Sequence, residues 1–199
     1  IAEDPLDVAR AAIEKARTGQ CVLWISNTVK TAQDNYRLVL SECRQDEFPV
    51  GLLHSRFPVY RRTELEDEWI SSLGTGGQRP QGCILLATQV VEQSVDIDVD
   101  FLITELAPTD MMLQRIGRLW RHQYGERPVT HPIVWIQSPY LEKITSARAL
   151  KKSIGASSRV YAPYVLWRSY KIWHNKDRIV LPDDIRNLLE TTYAEESTP

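Results

Sequence analysis

Cys21-Val-Leu-Trp-Ile25 is apolar at every position and gives way at once to Ser26-Asn-Thr28. A strand with one wet face alternates polar with apolar residues. A short run without that alternation reads as a strand buried on both faces, as in a parallel sheet covered by helices. The pattern recurs at Val50-Gly-Leu-Leu53, Cys83-Ile-Leu-Leu-Ala87, Phe101-Leu-Ile-Thr-Glu-Leu106 and Ile133-Val-Trp-Ile136. Helix signals fill the intervals. Asp4-Pro5 sets a capping carboxylate before a proline at the first helical position, in a segment that runs to about Arg17 and ends at Gly19. Asn27 or Thr28 caps a second helix to about Cys43, Pro58 opens a third that ends by Gly74, and Thr109-Asp110 caps a fourth through about His122. This alternation predicts an α/β fold, a doubly wound and mostly parallel sheet flanked by helices, with right-handed crossovers.

The 199 residues suit one large domain, or one domain with an appendage, at ~100–200 residues per domain. Hydrophobic residues at 43% and charged residues at 25% exclude a disordered or fibrous chain. No apolar run approaches the ~20 residues of a membrane span, so no membrane partner is expected. Cys21, Cys43 and Cys83 are widely spaced and odd in number, without a C-x-x-C pair. They point to a reducing compartment and exclude a disulfide scaffold or a cysteine-rich zinc site. With 24 Lys+Arg against 26 Asp+Glu the net charge is −2, so any nucleic-acid contact has to be local. The start at Ile1, with neither Met nor a signal-like segment, reads as a piece of a longer protein. Gly74-Thr-Gly-Gly-Gln-Arg-Pro-Gln-Gly82 has linker composition but is short, and reads as a mobile surface loop. From about Tyr140 onward the segments become helical and rich in aromatics, and Pro182 starts a last short helix. The expected division is a domain over 1–138 and a helical extension over 139–199.

Four polar groups follow the strands. On a regular helix at ~100° per residue, Gln114, Arg118 and Arg121 fall within ~60° of one another, with Met112, Ile116, Leu119 and Trp120 opposite and Arg115 on a flank. Two guanidinium forks and an amide suit phosphate oxygens, or charge that develops during phosphoryl transfer. Spacing alone does not separate this from a solvated basic face. Thr88 and Ser94 are placed to bond phosphate and Asp96 to accept from a sugar hydroxyl, or the stretch Leu86 to Asp98 is a plain polar loop. Ser26-Asn27-Thr28 and His54-Ser55-Arg56 are phosphate seats or ordinary caps. In a parallel sheet all four groups share one edge. His54, His122, His131 and His174 have no metal-ligand spacing, so no metal site is expected, and no G-x-S-x-G elbow or G-x-G-x-x-G turn is present.

Gln114-x-x-Gly-Arg118-x-x-Arg121 resembles motif VI of superfamily 2 helicases, and Ala87-Thr-Gln89 through Asp96-Ile-Asp98 resembles motif V. The segments after the first two strands resemble motifs IV and IVa. In finer wording, Asn27-Thr-Val-x-x-Ala-Gln33, Leu53-His-Ser-Arg-Phe57, Ala87 to Asp98 and Leu113-Gln-Arg-x-Gly-Arg-Leu-x-Arg-His122 are similar to the helicase–nuclease of type I CRISPR systems. Val165-Leu-Trp-Arg168 and Pro182 to Tyr193 resemble that family's continuation. The resemblance implies a second RecA-like helicase domain, with Arg118 and Arg121 as arginine fingers toward ATP on a partner domain and Gln114 beside the γ-phosphate. It implies nucleotide contact or coupling at Asp96, and contacts to single-stranded DNA from Asn27, Thr28, Ser55, Arg56, Thr88 and Gln89. One departure is Trp120, where the family more often has His.

The chain has no G-x-x-x-x-G-K-[ST] loop and no D-E-x-H-type box. ATP with Mg²⁺ is therefore expected to sit mainly on a first RecA-like domain, and nuclease metal ions on a nuclease domain, both outside this sequence. The implied partners are single-stranded DNA, those two domains and a CRISPR surveillance complex, in the cytoplasm, with antiviral defence as the setting. Alternatives are the second lobe of another superfamily 2 DNA or RNA motor, or a non-motor docking module. Arginines without a phosphate cradle leave a nucleotide mostly solvated. The isolated chain is thus expected to show no ATP turnover, which a phosphate-release assay on the pure chain checks.

Overall fold

The computed structural model describes residues 4–93, 95–123, 126–174 and 176–194; the start at Ile1 and the candidate phosphate donor Ser94 lie outside the described residues. The described chain forms two compact units, one joining 4–105 to 114–136 and the other joining 106–113 to 137–194. In chain order the elements are α1 (Pro5–Arg17), β1 (Cys21–Ile25), α2 (Val29–Glu42), β2 (Val50–Leu53), α3 (Val59–Leu73), β3 (Cys83–Ala87), α4 (Val90–Gln93), β4 (Phe101–Glu105), α5 (Thr109–Ile116) and β5 (Ile133–Gln137). α6 (Ala147–Ile154), a 3-10 helix (Gly155–Arg159), α7 (Pro163–Trp173) and α8 (Ile185–Tyr193) follow. No helix among the described residues is long and apolar enough to cross a membrane.

The five expected strands form one sheet in the order β2-β3-β1-β4-β5, and the pairs β2–β3, β3–β1 and β1–β4 are parallel. Register explains why these strands are apolar throughout. Val50, Ile84, Val22 and Phe101 lie in one row, and Gly51, Leu85, Leu23 and Leu102 in the next. Successive rows face opposite sides of a sheet. The first face buries Val8, Ala9, Ala12, Ile13 and Ala16 of α1 together with Val39 of α2. That spacing is a helical stripe, and its alanines let α1 approach closely. On the second face Trp69 of α3 lies against Gly51, where a Cβ would come within 2.3 Å of the indole. Val8, Ile13 and Val39 each contribute roughly 1.5–3 kcal/mol on burial, and the alanines less.

The helix starts follow their caps. Asp4 Oδ1 accepts from Leu6 N at 2.9 Å, and Thr28 Oγ1 from Thr31 N at 3.1 Å, so Thr28 caps α2. α5 departs from expectation, ending at Ile116 instead of near His122. Arg118 N and Leu119 N turn back to Arg115 O and Ile116 O, and then Val99 N bonds Arg118 O at 3.0 Å and Trp120 N bonds Val99 O at 3.1 Å. Gly117 is a poor helix former, by about 1 kcal/mol relative to Ala, and the bridge to Val99 supplies the bonds that a further helical turn would have made. Trp120 consequently sits at φ 51° and not on the apolar side of a helix.

The loop from Gly74 to Gly82 is also different from the mobile segment expected. Arg79 anchors it through Asp98 at 3.3 Å and Asp100 at 2.6 Å, and Gly82 at φ +90° approaches Ala16 O so closely that a Cβ would lie 2.0 Å from it. Pro182 does not open α8. Residues 181–184 form turns, and the helix begins at Ile185. In the smaller unit the buried Thr109 hydroxyl is a shared partner of Ser169 at 3.3 Å, Trp173 Nε1 at 3.1 Å and Thr192 at 2.7 Å, which joins the start of α5 to α7 and α8.

Gly51 gives the direct test of the second face. A Gly51→Ala change must displace the Trp69 indole, and overpacking of this kind costs about 1–3 kcal/mol. The expected result is a lower urea midpoint with an unchanged m-value.

Candidate functional site

Arg115 is a fully buried charged side chain, with no exposed surface. Its Nε donates to Glu92 Oε1 at 2.8 Å, its Nη1 to Thr104 Oγ1 at 2.8 Å and Glu105 O at 2.9 Å, and its Nη2 to Asn27 Oδ1 at 3.0 Å. These partners come from the carboxyl ends of β1 and β4 and from the short helix after β3. Asn27 is enclosed by the same network, its N–H donating to Glu105 and its carbonyl accepting from Gln89 Nε2 at 2.9 Å. Burial pushes the Glu105 carboxyl above the ordinary carboxylate range, against the pull of the Asn27 N–H and Arg115.

Arg118 is 7% exposed and does not stand on a solvated helix face. Its Nε donates to Val91 O at 2.8 Å and its Nη2 to Glu92 O at 2.5 Å, so it binds the carbonyls of α4. Burial, and then the neighbouring Arg121, push its pKa below the usual guanidinium value. Among the described residues no carboxylate hydrogen-bonds it. Arg121 is exposed and pairs with Asp96 at 2.6 Å, beside His122 at 3.3 Å and Thr75 at 3.5 Å from the same residue. Partial burial works against the Asp96 carboxylate, but the Arg121 hydrogen bond and the charges of His122, Arg121 and Arg118 hold its pKa below the ordinary range. Gln114 is half-buried, and its Oε1 is buried without a hydrogen-bond partner among the described residues.

Of the residues expected to touch a nucleic acid, Ser55 and Arg56 are exposed, Thr28 and Gln89 are half-buried, and Asn27 and Thr88 are buried. The four strand-end groups meet only in part. Asn27, Gln89, Glu92, Glu105 and Arg115 form one bonded cluster. The chain after α4 runs back toward the amino ends of the strands, where Asp100 Oδ2 accepts from Cys21 N at 2.8 Å, and Asp96 and Arg121 pair along that return. Arg115, Glu92 and Glu105 escape a reading of the sequence as one polar face. The available signal was that Met112, Arg115, Ile116 and Leu119 share the i, i+3, i+4, i+7 stripe, so Arg115 occupies a core position. Among the described residues no group of three or more His, Cys, Asp or Glu is placed to hold a metal ion.

The model for the C-terminal part of CRISPR-associated nuclease/helicase Cas3 matches residues 18–124. The chain is 35% identical over 193 residues to the CRISPR-associated endonuclease/helicase Cas3 of Escherichia coli K12, covering 94% of this chain and 20% of that protein. The crystal structure of T. fusca Cas3 with ATP has a TM-score of 0.85 at 32% identity, over 96% of this chain and 22% of that one. A chain of a pre-nicking CRISPR RNA-guided surveillance complex has a TM-score of 0.79 at 30% identity, over 98% and 24%. The fold is RecA-like, and the chain spans about a fifth of the length of such curated relatives.

The two ion pairs should respond differently to truncation. Arg115→Ala leaves Glu92 buried without its partner, at a cost of about 3–5 kcal/mol. Arg121→Ala breaks a pair whose side chains are 41% and 48% exposed, at a cost of no more than about 1 kcal/mol. Equilibrium unfolding of the two variants checks the contrast.

Proposed function

The chain belongs to the CRISPR-associated nuclease/helicase Cas3 family, and on that premise we propose that its larger unit is the second RecA-like lobe of an ATP-driven single-stranded DNA translocase. The smaller unit leads toward a further C-terminal domain. The lobe completes an ATP site whose phosphate cradle and Mg²⁺ carboxylate lie on a first RecA-like domain, and it works with a nuclease domain and a CRISPR surveillance complex in interference.

The observation that carries this reading is the charge state of the three arginines. Glu92 pairs with Arg115 and Asp96 with Arg121, whereas among the described residues Arg118 hydrogen-bonds carbonyl oxygens and no carboxylate. A desolvated guanidinium that no carboxylate hydrogen-bonds exerts a strong field on any anion brought beside it. Bound ATP supplies a phosphoryl group on which negative charge spreads as the bond to the leaving group breaks. Arg118 is fixed by α4 before that charge appears, so it stabilises the transition state without reorganising. Arg121 adds a second guanidinium once it exchanges Asp96 for a phosphate oxygen. Gln114, with an amide oxygen that has no hydrogen-bond partner among the described residues, stands near the end of α5, four residues before Arg118, and orients the attacking water or the γ-phosphate. On the strand-end rim, Thr28, Ser55 and Arg56 contact the DNA backbone. Asn27, Thr88 and Gln89 set the shape of that rim from beneath.

The test uses the full-length protein. Arg118→Lys keeps a charge but loses the fork, and it should lower DNA-stimulated ATP hydrolysis by about 10³–10⁵, the value of an arginine finger. Affinity for single strands without nucleotide should be unchanged, because that surface uses other residues. Undiminished turnover in Arg118→Lys overturns the assignment.

A further inference from the structure

The rim after β2 carries a feature that backbone contacts leave unused. Tyr60 is 71% exposed and its neighbour Val59 70%, at the start of α3. Single exposed apolar residues are ordinary on a protein surface, so the surroundings decide. The turn before α3 is closed by local contacts, with Phe57 N donating to His54 O at 3.4 Å and the His54 and Phe57 rings stacked at 4.2 Å and 12°. Gln33 Nε2 and His54 Nε2 lie 3.2 Å apart, tying the turn to α2. Ser55 and Arg56 project from this turn into solvent, and Arg56 has no ion-pair partner among the described residues. The first turn of α3 contains no acidic residue, and its Arg61 and Arg62 are paired with Glu64 at 2.9 Å and Glu66 at 3.5 Å, one turn further on. Arg56 and Tyr60, with no ion-pair or ring partner among the described residues, thus lie four residues apart, their Cα atoms separated by at most about 14 Å even for extended chain. That distance is within the reach of a few adjacent nucleotides.

We propose that Tyr60 is a base-stacking platform for a single strand whose backbone is held at Ser55 and Arg56. This rests on the DNA-contact reading of that rim given above. A phosphate at Arg56 places the next bases over the start of α3, and the exposed ring offers them a flat apolar face. Stacking tolerates any base, because every base has a π face. The rim then grips sugar-phosphate and base together without reading sequence, as a motor that moves along arbitrary DNA requires.

The experiment measures binding of the full-length protein to a fluorescent oligodeoxythymidine, and to the same strand carrying a run of abasic sites, across a salt series. Tyr60→Ala should weaken binding to the intact strand by about 5- to 100-fold, with the salt slope unchanged, since no phosphate contact is lost. Tyr60→Phe should bind as the parent does. On the abasic strand Tyr60→Ala and the parent should be equal. Arg56→Ala should weaken both strands and reduce the salt slope by about one. If Arg56→Ala has this effect while Tyr60→Ala binds normally, the platform is overturned and the backbone contact stands. If neither variant changes binding, the rim is not a DNA surface and both readings fall. A Tyr60→Ala protein that binds strands normally but fails to join a protein partner assigns the ring to a protein interface and overturns the proposal.

Discussion

The ion pair between Arg115 and Glu92 is the contact on which the arrangement at the strand ends depends. Taking two charges out of water costs several kcal/mol per ion, and an apolar pair of similar volume is often as stable. The pair therefore has to be understood by what its direction achieves. Arg115 reaches β1 through Asn27, β4 through Thr104 and Glu105, and α4 through Glu92. A leucine could fill the space, but it could not fix these groups at bonding distance. α4 has only four residues, far too few to hold a helix by itself. Its geometry comes from outside, with Glu92 held by Arg115 and the carbonyls of Val91 and Glu92 held by Arg118. The position of Arg118 is thus a consequence of the pair beneath it.

A second buried charge system works at the other end of the strands. Asp98 and Asp100, both buried, are shared by Arg79 and Arg127. Asp100 also accepts from the N–H that opens β1, and Asp98 from the N–H of His122, while the Arg127 guanidinium lies 4.8 Å from the Trp120 ring centre. Burial works against the charge on both arginines, but Cys21 and the two carboxylates hold the Arg79 pKa, and the two carboxylates the Arg127 pKa, above the ordinary level. The return of the chain from α4 to β4, the loop after α3 and the segment after α5 are clamped together by this cluster. It holds two guanidinium groups and two carboxylates, whereas the cluster at Arg115 sets one guanidinium against the carboxyl groups of Glu92 and Glu105.

The fold was legible because its strands are apolar for a simple reason, two covered faces, and because its caps are local chemistry that Asp4-Pro5 and Thr28 announce. The end of α5 was not. A regular helix continued through Gly117 in the sequence reading, but the bonds that stop it come from Val99, far away in the chain and invisible to local periodicity. The same error moved Arg118 and Arg121 onto one solvent face, when one is buried against α4 and the other is paired on the surface. Arg115 was misplaced because a charge is assumed to seek water. Its place in the apolar stripe with Met112 and Ile116 was a better guide than its chemistry. The loop from Gly74 to Gly82 has the composition of a linker, yet Arg79 anchors it to carboxylates that lie later in the sequence. At the end of α5, at Arg115 and at Arg79 the deciding contact is polar and long-range, which residue order conceals.

Arg118 and Arg121 are consequently different instruments in the proposed ATP site. Arg118 cannot leave α4 without breaking its hydrogen bonds to the carbonyls of Val91 and Glu92, so it is preset. Arg121 is half in water, and an exposed ion pair is worth at most about 1 kcal/mol, so exchanging Asp96 for a phosphate oxygen costs little. Charge-assisted bonds to phosphate are stronger than that, which makes the exchange favourable once a phosphate is near. The same exchange would leave Asp96 to its existing neighbours His122 and Thr75. A single approaching anion would therefore meet one arginine already in place and draw the second to it, and the freed carboxylate would carry the change to the segment between α4 and β4.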